Sequence, residues 1–243
     1  MGAKLLNTSV CKFEGFYNTN YNIYSKDDKV YLVDWNGTIV VQKDFKPGQY
    51  KSFMSNSMFG IVDKNGKEVV KPIYDDISDP FLFGKYAVVK LNELYGLVDK
   101  NGKEVTKIIY DVIMPFKNGY AMVARNGFWT FLNEEGKEIV KPQFTRVYNF
   151  DPCMIAFVKR CGFVGVLGSR GVILPTKYRY CRYLLEGKVI VYRNKGLFGL
   201  YFIQNDKLIK PRYSFVGPYT DGVFKIIYRG KEGTINLNGE EKF

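Results

Sequence analysis

Phe59-Gly60-Ile61-Val62-Asp63-Lys64-Asn65-Gly66-Lys67-Glu68-Val69 and Tyr95-Gly96-Leu97-Val98-Asp99-Lys100-Asn101-Gly102-Lys103-Glu104-Val105 are two copies of one pattern. Each opens on an aromatic-Gly pair, passes two apolar residues and an Asp, turns at Asn-Gly and leaves through Lys-Glu-Val. Asn-Gly between apolar runs is the strongest short hairpin signal, and it predicts positive φ at both turn residues. Asp63 and Asp99, two residues earlier, can accept hydrogen bonds from the turn amides. A third copy runs from Trp129-Thr130-Phe131-Leu132-Asn133 to Gly136-Lys137-Glu138-Ile139. Weaker copies begin at Val164-Gly165, Phe198-Gly199 and Glu232-Gly233, and an early one reads Tyr31-Leu32-Val33-Asp34-Trp35-Asn36-Gly37. The positions equivalent to Gly60 are 31, 60, 96, 130, 165, 199 and 233, in steps of 29, 36, 34, 35, 34 and 34. A period of this length is the signature of a tandem-repeat architecture.

Each copy continues alike. Lys71-Pro72, Lys141-Pro142 and Lys210-Pro211 follow the hairpin, with Lys107-Ile108 and Leu174-Pro175 as variants. An aromatic comes next: Tyr74, Tyr110, Phe144, Tyr178, Tyr213. A turn then carries Pro80-Phe81, Pro115-Phe116, Asn149-Phe150 or Pro218-Tyr219. An apolar run such as Tyr86-Ala87-Val88-Val89 or Tyr120-Ala121-Met122-Val123 closes the unit. The unit therefore reads as three strands: a up to the Asp, b after Asn-Gly, and c as the closing run. Proline is expected to stop the ladder of strand b, and the glycine of the aromatic-Gly pair to admit a close neighbour. One such unit cannot bury its own apolar face, whereas stacked copies can.

In this order and spacing, these motifs resemble the WG (or KWG) β-repeat family of bacterial proteins. The resemblance covers roughly residues 30–243 and is strongest over 59–144. The family's tryptophan is replaced by Phe59, Tyr95, Val164, Phe198 and Glu232, and Trp129 precedes Thr130 instead of Gly. The resemblance implies a β-repeat array used for binding or surface display, and no known reaction.

The expected fold is all-β: tandem three-stranded β-repeats of about 34 residues, in a single domain over 1–243. Residues 1–29 form an N-terminal half-repeat, with Tyr21-Asn22-Ile23-Tyr24 as a lone strand c, and 230–243 a C-terminal half-repeat with a lone a–b hairpin. Complementary halves suit a propeller-like ring in which first and last strands share one blade. An open β-solenoid or superhelix is the alternative.

The composition agrees. Hydrophobic residues make up 46% of 243, and 19 Tyr and 19 Phe favour pleated surfaces. Histidine is absent, which removes the commonest general base and metal ligand. Cys11, Cys153, Cys161 and Cys181 match no zinc or redox spacing and read as reduced thiols, with one pair among the last three as the alternative. No signal-peptide pattern opens the chain and no apolar run of about 20 residues spans a membrane. The expected location is the cytoplasm, or the virion of a bacteriophage as an alternative.

Candidate chemistry is sparse. Asp34, Asp63 and Asp99 recur at one repeat position, as do Glu68, Glu104 and Glu138, and a residue that recurs with the period is explained by the turn or strand it occupies. Asp75, Asp76 and Asp79 form the densest acidic cluster but lack the ligand ladder of a calcium loop. Gly162-Phe163-Val164-Gly165-Val166-Leu167-Gly168 resembles a phosphate loop only loosely and precedes no helix. No catalytic residue, cofactor or metal site is assigned, and no enzymatic activity is expected.

The basic residues also recur. Lys67, Lys103 and Lys137 follow the hairpin glycine; Lys71, Lys107, Lys141 and Lys210 end strand b; and Lys90, Arg125, Arg160, Arg193 and Arg229 end strand c. With 36 − 24 = +12 net charge, such residues either solubilise the chain and guard strand edges or line up as rows for an anionic partner. Lys67, Lys71, Lys103, Lys107, Arg125, Lys137, Lys141, Arg160, Arg193, Lys210 and Arg229 are the candidates for that contact. The expected function is non-enzymatic: a binding or scaffold protein for a protein partner or an anionic ligand. The alternatives are a structural subunit of a large assembly such as a phage particle, and a nucleic-acid-binding protein. The partners expected are a protein or large assembly, or an anionic polymer (nucleic acid or acidic glycan), and no membrane.

Overall fold

In a computed structural model of the chain, residues 12–18, 21–26, 29–34, 36, 38–44, 50–78 and 85–243 are described. Cys11, Trp35, Gly37, Asp79 and Pro80-Phe81 lie outside them. Sheet one holds β1 (Lys12–Asn18), β2 (Tyr21–Lys26), β3 (Lys29–Asp34) and β4 (Ile39–Asp44). Sheet two holds β5 (Tyr50–Ser55), β6 (Met58–Asp63) and β7 (Glu68–Tyr74). Sheet three holds β8 (Asp76–Ser78), β9 (Tyr86–Leu91) and β10 (Leu94–Asp99). Sheet four holds β11 (Val112–Ile113), β12 (Ala121–Arg125) and β13 (Phe128–Leu132). Sheet five holds β14 (Arg146–Val147), β15 (Ile155–Arg160), β16 (Phe163–Gly168) and β17 (Gly171–Tyr178). Sheet six holds β18 (Tyr180–Leu185), β19 (Val189–Asn194), β20 (Leu197–Phe202) and β21 (Lys207–Tyr213). Sheet seven holds β22 (Phe215–Thr220), β23 (Val223–Tyr228), β24 (Lys231–Asn236) and β25 (Glu241–Lys242).

All pairing within these sheets is antiparallel, and each sheet is a run of neighbouring strands in chain order. The chain is all-β, as its sequence predicts. It divides into two compact units, Met1–Glu138 with sheets one to four and Ile139–Phe243 with sheets five to seven.

Strands a and c are present, strand b is reduced to isolated bridges in sheets three and four, and a fourth strand joins them. It lies between the aromatic and the closing run, as β8, β11, β14, β18 and β22, and is called d here. The order in a full sheet is d–c–a–b, so strand c pairs with strand a of the following copy. The turns between c and a are Asn56-Ser57, Asn92-Glu93, Asn126-Gly127, Cys161-Gly162, Lys195-Gly196 and Arg229-Gly230. Both residues of every pair have positive φ, from 46° to 84°. That is the two-residue turn whose twist matches the flanking strands.

The Asn-Gly turns between a and b are built otherwise. Gly66 lies at φ +79° and Gly102 at +75°, while Asn65 and Asn101 stay at negative φ. The Gly66 amide donates to the Asp63 carbonyl at 3.0 Å, which closes a one-turn loop before the glycine. Asp63 Oδ1 accepts from the amides of Asn65 and Lys67 at 2.8 and 2.9 Å. Asp99 and Asn133 repeat the arrangement. The Asp satisfies turn amides as expected, and its help removes the need for a second positive φ.

Proline does not end strand b. β6 meets β7 at Phe59↔Tyr74 and Ile61↔Val70, so Lys71, Pro72 and Ile73 bulge out opposite Gly60. A bulge is where a strand tolerates proline, because the missing amide has no ladder partner there. The bulge brings the Val70 carbonyl within 2.6 Å of where a Gly60 side chain would begin. At Gly199 the same site is crowded by the Tyr192 ring at 2.5 Å and the Ile209 carbonyl at 2.8 Å. The expected close approach at the aromatic-Gly pair is thus real, and its cause is the Lys-Pro bulge.

Tyr21–Lys26 forms the expected strand c and pairs with β3, but it is not lone, because β1 pairs along its other edge; the last hairpin pairs with β23. First and last strands therefore lie in different sheets, because the c-to-a turn keeps each sheet local in sequence.

Within each unit, a central sheet packs against neighbours on both faces. Ala87 and Val89 pack with Ile61, Val70 and Tyr74 of sheet two, whereas Val88 packs with Ile113 and Val123 of sheet four. In the second unit, Ile190 and Tyr192 face sheet five and Val189 and Val191 face sheet seven. Strand c is apolar at consecutive positions because both its faces are covered. Each fully buried Val, Leu or Ile contributes about 1.5–3 kcal/mol, so this stacking outweighs any single turn.

Candidate functional site

Every sheet has two ends. The a–b turns lie at one, and the c–a turns with the Lys-Pro bulges lie at the other. Lys67, Lys103 and Lys137 are exposed at the a–b end. Lys71, Lys107, Lys141 and Lys210 are exposed at the c–a end, in or beside the bulges. Arg125, Arg160, Arg193 and Arg229 also lie at the c–a end, but not in one register. Lys90 and Arg193 sit opposite the strand-a aromatics Tyr95 and Phe198. Arg125 and Arg160 sit one residue further on, opposite Phe128 and Phe163, which sends them to the other face of the sheet. Arg229 is in the turn itself, at φ +51°.

Their partners differ accordingly. Arg125 pairs with Glu138 at 3.4 Å, and Glu138 also accepts from the Tyr110 hydroxyl at 3.1 Å. This cluster ties sheet four to the preceding repeat. Burial, with the nearby Glu138 carboxylate, pushes the Tyr110 hydroxyl's pKa far up. Tyr213 and Arg212 hold Glu241 in the same way. Arg160 reaches Gln143 at 3.4 Å. Glu138 and Glu241 thus act as inter-strand ties. The acidic residue after the aromatic holds the c–a turn: Asp75 accepts from the Asn92 amide at 2.6 Å and Asp111 from the Gly127 amide at 2.9 Å.

One site departs from this balance. At the c–a end of sheets five and six, a groove of about 400 Å³ is lined by Phe163, Lys177, Arg179, Tyr180, Arg193, Asn194, Lys195 and Gly196. Four of its side chains are cations and none is a carboxylate. Among the described residues none of the four makes an ion pair. Lys90, at the position equivalent to Arg193, pairs with Glu93 at 2.8 Å, and Asp76 stands near it. In sheet six Tyr180 takes the place of Asp76 and Lys195 that of Asn92, while Arg179 takes that of the turn-holding Asp75. Arg193 lies over the Phe198 ring at 5.0 Å, and its Nε donates to the Gly196 carbonyl at 3.2 Å. Arg179 lies over Phe163 at 5.8 Å. Of the groove's cations, the repeat pattern singles out only Arg193. Lys195 shares its turn position with Arg229, whereas Arg179 puts a cation where Asp75 and Asp111 hold the turn, and that substitution is the signal in the sequence.

Cys153, Cys161 and Cys181 are each unpaired, and burial pushes the Cys181 thiol up to about 12. Among the described residues, no helix is long and apolar enough to cross a membrane.

Seven sheets cut from one repeated hairpin pattern, with charge gathered at their ends, define a tandem β-repeat array. The model of the WG containing repeat family matches residues 59–95, 95–127 and 129–159. No curated protein matches the sequence. Among solved structures, Kluyveromyces lactis Hsv2p is similar at TM-score 0.35 and 13% identity, over 93% of this chain and 92% of that one. BamB from Moraxella catarrhalis is similar at TM-score 0.32 and 10% identity, over 98% and 97%. The Cps50 (Swd1) β-propeller domain of Myceliophteria thermophila is similar at TM-score 0.30 and 9% identity, over 93% and 96%.

Proposed function

We propose that the chain is a non-enzymatic binding and scaffold module of the reducing cytoplasm, and that it takes an anionic partner at the c–a ends of its sheets. The observation that carries this reading is the groove of sheets five and six, where Lys177, Arg179, Arg193 and Lys195 converge without a carboxylate. In sheets three and four the cations at the end of strand c are neutralised, Lys90 by Glu93 and Arg125 by Glu138. Uncompensated like charges in one concave site repel one another, and they attract an anion over about a Debye length, ~8–10 Å at ordinary ionic strength. Surface solubility alone does not call for this convergence.

Elution from an immobilised polyanion tests the reading. Arg193→Glu with Lys195→Glu lowers the eluting salt concentration well below that of Lys67→Glu with Lys103→Glu. Both pairs change the net charge equally, so equal shifts mean that net charge alone is being read and the site is wrong.

A further inference from the structure

Resting on that anionic reading, we infer that the groove of sheets five and six binds single-stranded nucleic acid. The charge alone fits any polyanion. The geometry adds flat cationic platforms. The guanidinium groups of Arg179 and Arg193 lie 5.8 and 5.0 Å from the rings of Phe163 and Phe198, and both arginines line the groove. The hydrogen bond from Arg193 Nε to the Gly196 carbonyl further holds the second guanidinium. Guanidinium groups are planar, and unpaired bases stack on them and on aromatic rings. Tyr180, 37% exposed, adds an aromatic side chain to the same wall. Lys177 and Lys195 carry point charges suited to phosphates between the bases. A sulfated or uronic glycan has no flat conjugated face to stack, so it would use the charges and leave the platforms idle. Aromatic and guanidinium platforms interleaved with lysines are the general means of holding a single strand without reading its sequence.

Two variants of the full chain separate the source of the binding, with a fluorescent single-stranded oligonucleotide and dextran sulfate as probes. Arg179→Lys with Arg193→Lys keeps the charge and removes the planes. It weakens oligonucleotide binding about tenfold and leaves dextran sulfate unchanged, since stacking is lost and charge is not. Lys177→Glu with Lys195→Glu weakens both. For the native chain the logarithm of oligonucleotide affinity falls against the logarithm of salt with a slope of about −3, from four cations at about 0.7 each. If the arginine-to-lysine variant binds both probes as the native chain does, the nucleic-acid inference is overturned and the anionic reading stands. If the lysine reversals leave both affinities unchanged, the two fall together. Thermal unfolding of each variant serves as the folding control, all four side chains being exposed.

Discussion

Gly199 carries more of the architecture than its size suggests. A side chain there would begin 2.5 Å from the Tyr192 ring and 2.8 Å from the Ile209 carbonyl. That carbonyl also accepts from the buried Tyr192 hydroxyl at 2.9 Å, so neither neighbour can retreat cheaply. Gly199→Ala is therefore expected to cost about 1–3 kcal/mol, read as a fall in the denaturant midpoint at constant slope. An unchanged midpoint would show that the bulge can shift aside. The need for glycine at this repeat position was legible from recurrence alone. Its cause was not, because the bulge that crowds it comes from a segment read as the end of a strand.

Strands a, b and c were legible because their apolar runs repeat and Asn-Gly marks one turn. Strand d was not, being as short as two residues at Val112–Ile113 and Arg146–Val147. Nor was β5, whose Tyr50-Lys51-Ser52-Phe53-Met54-Ser55 has too few apolar residues to match the other closing runs. The c–a turns escaped notice because only Asn126-Gly127 among the six has the familiar residues, the rest placing Ser, Glu, Cys, Lys or Arg at positive φ. Between elements, the Tyr-Glu ties link one repeat to the next. Tyr110, Glu138 and Arg125 make one such cluster, partly buried. A double-mutant cycle of Tyr110→Phe and Glu138→Gln should give a coupling of about 0.5–1.5 kcal/mol in unfolding experiments. Strict additivity would reduce the pair to an incidental contact.

At the scale of the whole molecule, the period explains the fold and departures from the period mark the candidate site. Residues that recur, such as Asp63, Asp99 and Glu138, are absorbed by turns and ties. Arg179, Tyr180 and Lys195 stand where sheet three has Asp75, Asp76 and Asn92, and they converge with Arg193 in one groove. Equal register finds Arg193 but not Arg179, whose place is held by Asp75 and Asp111 in earlier copies. Equal register also failed for Arg125 and Arg160, because a shift of one residue moves a side chain to the opposite face of a strand. The central claim is that anionic ligands meet this groove and not the chain's positive surface at large. Amide hydrogen exchange with and without a single-stranded oligonucleotide tests it most directly. The account predicts new protection at residues 177–180 and 193–196, with the a–b turns at 64–67 and 100–103 unchanged. Protection spread evenly over both ends of the sheets, or confined to the a–b turns, would contradict it.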